Sequence, residues 1–296
     1  MLQVAERPRP EPGPGEVLIR VAAATVNPTD LSLRSGTRRP QLPPPYIPGM
    51  ELAGTVEALG AGVRAASAGQ RVMAIVLPTR PEGGAQAEFV PVPVESLAPV
   101  PHGITLLEAA TLPMNGLTVR QALDLLALPR DATLAVTGAA GAVGGYAIEL
   151  GKTAGLRIVA DAAPGDEELV RRLGADVVVP RGPDVAVAIR KVVPEGVDAL
   201  LDAAVQGSGI LPAVRDGGQV AAVRLFAGQA ERGIRIHQVA VTEYHRNRPA
   251  LEGLARLAAE GRLTLRVAAT FPPEEAGEAH RRLAAGGVRG RLVIVF

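Results

Sequence analysis

Hydrophobic positions along the chain follow two rhythms. From Glu16 to about Phe89 they come as short runs, "EVLIRVAAATV", "MELAGTVEALG", "QRVMAIVLP" and "AQAEFVPVPV", separated by clusters of Gly and Pro. Partial alternation between turn-forming residues predicts short strands in an irregular antiparallel β domain. After about Pro101 the rhythm lengthens. "TLLEAATLPMNGLTVRQALDLLAL" has helical composition, and beyond Pro129 strand-like runs ("TLAVTG", "LRIVADA", "ADVVVP", "DALLDAA", "QVAAVRL") alternate with helical ones ("AVGGYAIELGKTAG", "DEELVRRLG", "VAVAIRKVV"). That succession predicts βαβ units and a parallel sheet covered on both faces. A helix from about Asp166 to Leu173 has acids in its first turn, arginines in its last and Gly174 as its stop.

The tail changes again. Pro249 opens a helix with leucines at 251, 254 and 257, and Pro273 opens another before the final strand "RLVIVF". We therefore expect the tail to return to the first domain, so that 1–104 plus 245–296 form one domain and 105–244 the other. The Pro-rich "RRPQLPPPYIP" reads as an extended loop.

Composition narrows the functional classes. The 296 residues carry 31 basic against 30 acidic side chains and no cysteine. No basic block would track a nucleic-acid backbone, and no disulfide, thiolate nucleophile or cysteine metal site is available. No stretch of 18 apolar residues occurs, and the start of the sequence has no apolar leader. A soluble cytoplasmic protein is expected. His102, His237, His245 and His280 lack ligand spacing and read as surface or packing residues. Lys152 and Lys191 are the lysines, and both fall in or beside helical runs, which leaves a Schiff-base mechanism little support.

The chemistry concentrates at "TLAVTGAAGAVGGYAIEL", where Gly138, Gly141 and Gly144 stand between a strand and a helix. A backbone that passes close to phosphate oxygens has no room for a Cβ, and a helix N-terminus offers unpaired amides to a diphosphate, here those of Ala142, Val143 and Gly144. The alternative is a turn that only packs a helix tightly on a sheet. The next strand ends at Asp161, where an acid ordinarily takes the adenosine ribose hydroxyls and favours NAD. Ala162 and Ala163 open the loop that follows, "AAPGDEE", which holds no cation. Arg181, after the third strand, either approaches a 2′-phosphate or is a solvated surface arginine. "DAAV", ending in Ala204 and Val205, closes another strand at the same sheet edge, so its backbone lines the nicotinamide side. A short-chain dehydrogenase is unlikely, because neither Tyr46, Tyr146 nor Tyr244 is followed four residues later by Lys.

"EPGPGEVLIRVAAATVNPTDLSLRSG", "PGMELAGTVEALGAGV", "GQRVMAIV", "EAATLPMNGLTVRQAL", "GAAGAVGGYAIELGKTAG", "LVRRLGADVVV" and "AHRRLAAGGVRGRLVIVF" together resemble the medium-chain dehydrogenase/reductase superfamily, in particular its zinc-independent quinone oxidoreductase branch. The resemblance is collinear over essentially the whole chain. It implies an α/β protein with a GroES-like irregular β catalytic domain and a doubly wound parallel-sheet (Rossmann) nucleotide-binding domain, the substrate in the cleft between them, and a homodimer. By motif, Asn27, Met50 and Met114 stand where zinc-bearing relatives place metal ligands. None is a plausible zinc ligand, so metal-free hydride transfer is expected. The resemblance also implies NADPH, against the acid rule at Asp161, and a quinone or enone as acceptor. It places Asn27 and Thr118 near the nicotinamide and Tyr46 at the substrate, where Tyr46 either donates to a developing oxyanion or anchors the Pro-rich loop. Asn27 before Pro28 is otherwise an ordinary turn residue. Two rivals remain: an enoyl or enone reductase on the same scaffold, and a non-catalytic NAD(P)H-binding redox sensor.

Overall fold

The computed structural model describes residues 2–37 and 44–296, so residues 38–43 of the Pro-rich run lie outside the described residues. The chain divides into two compact units, Met1–Leu117 with His245–Gly261 and Leu265–Phe296, and Thr118–Tyr244 with Arg262–Thr264. The division falls inside one helix, Pro113–Leu126, rather than at the change of rhythm near 104.

In the first unit a seven-stranded sheet runs in the order Val267–Phe271, Arg291–Val295, Glu16–Thr25, Glu51–Leu59, Arg71–Ile75, Leu97–Pro99. Strand Glu16–Thr25 organises it. One edge pairs with Glu51–Leu59, and the other is shared by Phe89–Pro93 along its first half and Arg291–Val295 along its second. Breaks of register at Leu18/Ile19 and Val21/Ala23 bend this strand so that it can serve three partners. Val17, Ile19, Val21, Leu52, Val56, Val72, Val90 and Leu97 fill the core beneath. The C-terminal strand also carries a smaller cluster of Val26, Phe271, Ala279, Leu292 and Ile294, partly supplied by helix Ala276–Ala285. His280 of that helix is fully buried, and neither ring nitrogen has a hydrogen-bond partner among the described residues. Burial, reinforced by Arg34, lowers its pKa to about 4.

The second unit holds six parallel strands in the order Arg235–Gln238, Val214–Ala222, Val197–Asp202, Thr133–Thr137, Arg157–Ala162, Val177–Pro180. Numbered by appearance this is 6-5-4-1-2-3, two mirrored halves that start from the centre. Alternate side chains show both faces covered. Gly151 of helix Ala142–Thr153 lies against Leu134 and Ile158. Ala135, Val159 and Leu200 pack with Val185, Ile189, Ile210 and Leu211 from helix Val185–Val192 and the short helix Gly207–Ala213. Double burial explains why these strands read as continuous apolar runs. Arg262–Thr264 is tied to this unit by Glu149, which accepts from the Thr264 amide and hydroxyl.

Candidate functional site

The order of the parallel sheet reverses between Thr133–Thr137 and Val197–Asp202, and in sheets of this kind a ligand crevice forms outside the carboxyl ends of the strands at that point. The glycine turn sits there, and its three glycines are constrained to different degrees. Gly138 adopts φ 68°, and its Cα side abuts the backbone of Ala203 and Ala204, where a Cβ would lie 3.1 Å away. Gly144 lets the helix press onto the turn: a Cβ would come within 2.3 Å of the Gly138 carbonyl oxygen and 2.6 Å of the Ala139 Cα. Gly141 is the least constrained. As N-cap of Ala142–Thr153 it has φ −71° and ψ 173°, open to any residue, and its Cβ would meet only the Gly138 oxygen at 3.1 Å. With a glycine N-cap, no N-cap side chain among the described residues bonds to the first-turn amides of Ala142, Val143 and Gly144. The arrangement leaves donors, a favourable dipole and a bare backbone facing one place, which suits a diphosphate.

Asp161, on the neighbouring strand, is buried and turned toward the turn rather than away from it. Its Oδ1 accepts from Ala139 N at 2.9 Å, while Oδ2 is buried without a hydrogen-bond partner among the described residues. Burial raises its pKa, opposed by the Ala139 amide and the Arg181 charge. Ala162 is buried and Ala163 half-buried at the end of this strand; Arg181 is exposed, its amide bonded to the Ala162 carbonyl at 2.9 Å. Opposite, Asp202 accepts from Thr137 Oγ1 (2.9 Å), Gln206 N (2.8 Å) and Gly207 N (3.1 Å), and so fixes the loop that carries Ala204 and Val205. The second unit thus gathers Gly138, Gly141, Ala142, Val143, Gly144, Asp161, Ala162, Ala163, Arg181, Ala204 and Val205 at one sheet edge. Thr118 belongs to the same unit, buried on helix Pro113–Leu126.

Asn27 and Tyr46 lie in the first unit. Asn27 caps helix Pro28–Ser35 and is wholly buried. Its Oδ1 accepts from Arg291 Nη2, and its Nδ2 donates to Thr25 Oγ1 at 3.2 Å. Arg291 Nη2 also reaches Thr25 Oγ1 (2.7 Å) and Glu51, and Glu51 Oε2 accepts from Met114 N at 2.8 Å. With its amide oxygen toward the guanidinium, Asn115 accepts from Arg291 Nε and Nη1, each at 3.3 Å. A buried guanidinium therefore ties together the three segments carrying Asn27, Met50 and Met114. Amide and thioether side chains at those positions do not fit zinc, and among the described residues no three His, Cys, Asp or Glu side chains gather as metal ligands.

Asp30 adds a second tie: its carboxylate accepts from Asn27 N and Gly49 N, both at 2.8 Å. Burial pushes its pKa up to about 6, against those two donors and Arg291. Gly49 follows the segment of half-buried Tyr46, which is further held by bonds from Gly84 N to Ile47 O and from Gln86 N to Pro48 O. Arg291, Glu51, Asp30 and Asn115 were not singled out from the sequence. The available signals were charges inside apolar runs, "MELAG" and "RGRLVIVF", and the Asn-x-x-Asp spacing that makes a capping box.

Comparison with known proteins matches residues 13–102 to the alcohol dehydrogenase GroES-like domain family and residues 173–294 to the zinc-binding dehydrogenase family. A chloroplast envelope quinone oxidoreductase homolog of Arabidopsis thaliana is 36% identical over 186 residues, 60% of this chain and 56% of that protein. A trans-enoyl reductase of Aspergillus terreus is 33% identical over 192 residues, 60% of this chain and 63% of the relative. In both, the alignment spans less than two thirds of the relative's length. Among solved structures, a mycobacterial protein complexed with NADPH superposes with a TM-score of 0.86 at 26% identity, over 99% of this chain and 95% of that one. Among the described residues no helix is long and apolar enough to cross a membrane.

Proposed function

The chain belongs to the medium-chain dehydrogenase/reductase superfamily, and from that premise we propose that it is an NADPH-dependent, zinc-independent quinone oxidoreductase. The observation that carries the reading is Gly141: its φ and ψ suit any residue and a Cβ would meet one atom, the Gly138 oxygen at 3.1 Å, so packing asks for glycine only weakly. A diphosphate on the first-turn amides, by contrast, asks for a backbone without a side chain there. Asp161 supports it by holding the turn, since its Oδ1 accepts from Ala139 N at 2.9 Å beneath the diphosphate site. Because its Oδ1 is spent on Ala139 N, we do not take Asp161 as selecting NADH; exposed Arg181 is assigned to the 2′-phosphate.

When bound, the dinucleotide supplies a hydride. The protein's task is then to orient the acceptor, exclude water and stabilise charge that develops on an acceptor oxygen. A quinone or enone delocalises that charge without a metal, consistent with the poor zinc donors at Asn27, Met50 and Met114. Tyr46 is proposed to donate a hydrogen bond or proton to the oxygen, and Thr118 to border the nicotinamide. Asn27, buried and bonded to Arg291, acts as a positioning residue rather than by contact. We further propose a homodimer in the cytoplasm.

The test is steady-state oxidation of NADPH by a panel of quinones, enones and enoyl thioesters. Turnover fastest with quinones supports the reading. The similarity to a trans-enoyl reductase favours a second reading, in which enones or enoyl thioesters turn over faster. Tight cofactor binding without turnover across the panel would instead identify a redox sensor.

A further inference from the structure

We propose that Asp202 is a positioning residue for the dinucleotide, holding the Ala203–Gly207 loop in a strained arrangement that shapes the crevice before the nucleotide arrives. The inference rests on the dinucleotide-binding reading and deepens it. Val205 has φ 60°. In the left-handed region the Cβ crowds the following carbonyl, and branching at Cβ makes this worse. The other non-glycine residues with positive φ among those described are Ala127, Asp131 and Arg232, none of them branched at Cβ. Val205 is also 46% exposed, so its own packing does not hold it there.

The restraint comes from the hydrogen bonds on either side. Downstream, Gln206 N and Gly207 N both end on Asp202 Oδ2. Upstream, Ala204 N reaches Thr137 Oγ1 at 3.4 Å, and that hydroxyl donates to Asp202 Oδ1. Both brackets lead to one carboxylate, itself only 2% exposed. Gly138, the first glycine of the phosphate turn, backs directly onto Ala203 and Ala204, so the loop and the turn are braced as a single wall of the crevice. A glycine at 205 would take the same backbone without the steric cost. A valine there keeps a branched side chain at the mouth of the crevice at the expense of stability, the pattern expected where strain serves binding.

The experiment measures NADPH affinity by calorimetry and the thermal midpoint for wild type, Val205→Gly, Val205→Ile and Asp202→Asn. Val205→Gly should raise the midpoint while weakening NADPH by about tenfold, since the loop is no longer fixed in its binding shape. Val205→Ile keeps branching and strain and should bind as wild type. Asp202→Asn leaves an oxygen for the Gln206 and Gly207 amides and turns its NH2 to the Thr137 hydroxyl, so two charge-assisted bonds become weaker neutral ones, which should weaken NADPH by roughly tenfold. Should Asp202→Asn not fold, the opposite signs of stability and affinity in Val205→Gly decide alone, because a merely structural clamp would not separate them. Val205→Gly that binds as wild type, or that gains no stability, overturns the proposal, as does a folded Asp202→Asn with unchanged affinity. Absence of binding by wild type to NADPH and NADH alike would instead overturn the underlying reading and this inference with it.

Discussion

Replacing Gly141 by alanine separates the demands of the fold from those of the ligand. Its backbone, φ −71° and ψ 173°, is one that alanine adopts without strain, and the added methyl would meet a single atom, the Gly138 oxygen, at 3.1 Å. A shift of a few tenths of an ångström relieves that contact, while alanine gains about 0.4–1 kcal/mol from a less flexible unfolded chain. Net stability should change by less than about 1 kcal/mol, a midpoint shift within about 2–4 °C for a protein of this size. Affinity should behave differently. The methyl stands where the backbone must be bare, and loss of one charge-assisted hydrogen bond, about 1.5–3 kcal/mol, weakens NADPH by roughly ten- to a hundredfold. Gly144→Ala is the contrasting control. Its methyl would sit 2.3 Å from the Gly138 oxygen and 2.6 Å from the Ala139 Cα, so it should destabilise the apoprotein by about 1–3 kcal/mol or more. Thermal unfolding and calorimetric titration of both variants give the comparison. The reasoning is refuted if Gly141→Ala binds NADPH as tightly as wild type, or if it unfolds as readily as Gly144→Ala.

Three other outcomes are expected. His280 has its pKa lowered from 6.5 to about 4, so its neutral form confers stability above pH 6.5 that is lost as pH falls toward 4, about 3 kcal/mol in full; His280→Leu should flatten the acid limb of chemical denaturation measured against pH. Asp30, raised to about 6, works in the opposite sense, stabilising most below its unfolded pKa and less as pH rises through 6, so the difference between wild type and His280→Leu is the quantity to compare. Arg181→Ser should weaken NADPH by on the order of tenfold and leave NADH unchanged, read from paired dissociation constants. Arg291→Met strands buried Glu51 and should cost about 3–5 kcal/mol in urea unfolding, part of which Glu51→Gln in the same chain should restore.

Local signals were legible where one segment settles its own conformation. The strand–glycine–helix passage at Thr133–Thr153 and the alternation after it lie open in the sequence, because buried parallel strands are apolar throughout and helices carry their own stops. Arg235–Gln238 and Val267–Phe271 were not anticipated: each is four or five residues long, and "RIHQ" pairs at a sheet edge through its backbone with little apolar content. Asp161 was visible as an acid ending a strand, but whether it faces the ribose or the turn depends on strand register and on Ala139 coming beneath it. The Arg291 network was the least legible. Its members Thr25, Asn27, Glu51, Asn115 and Arg291 are brought together only when the C-terminal strand pairs with Glu16–Thr25, and no local spacing records that meeting.

The central claim is that first-turn amides at Ala142–Gly144, beside a bare Gly141, hold a dinucleotide diphosphate. Isothermal calorimetry of the purified protein with NADPH and with NADH tests it most directly. The account predicts one saturable site per chain, tighter for NADPH than for NADH; no heat of binding with either nucleotide would contradict it.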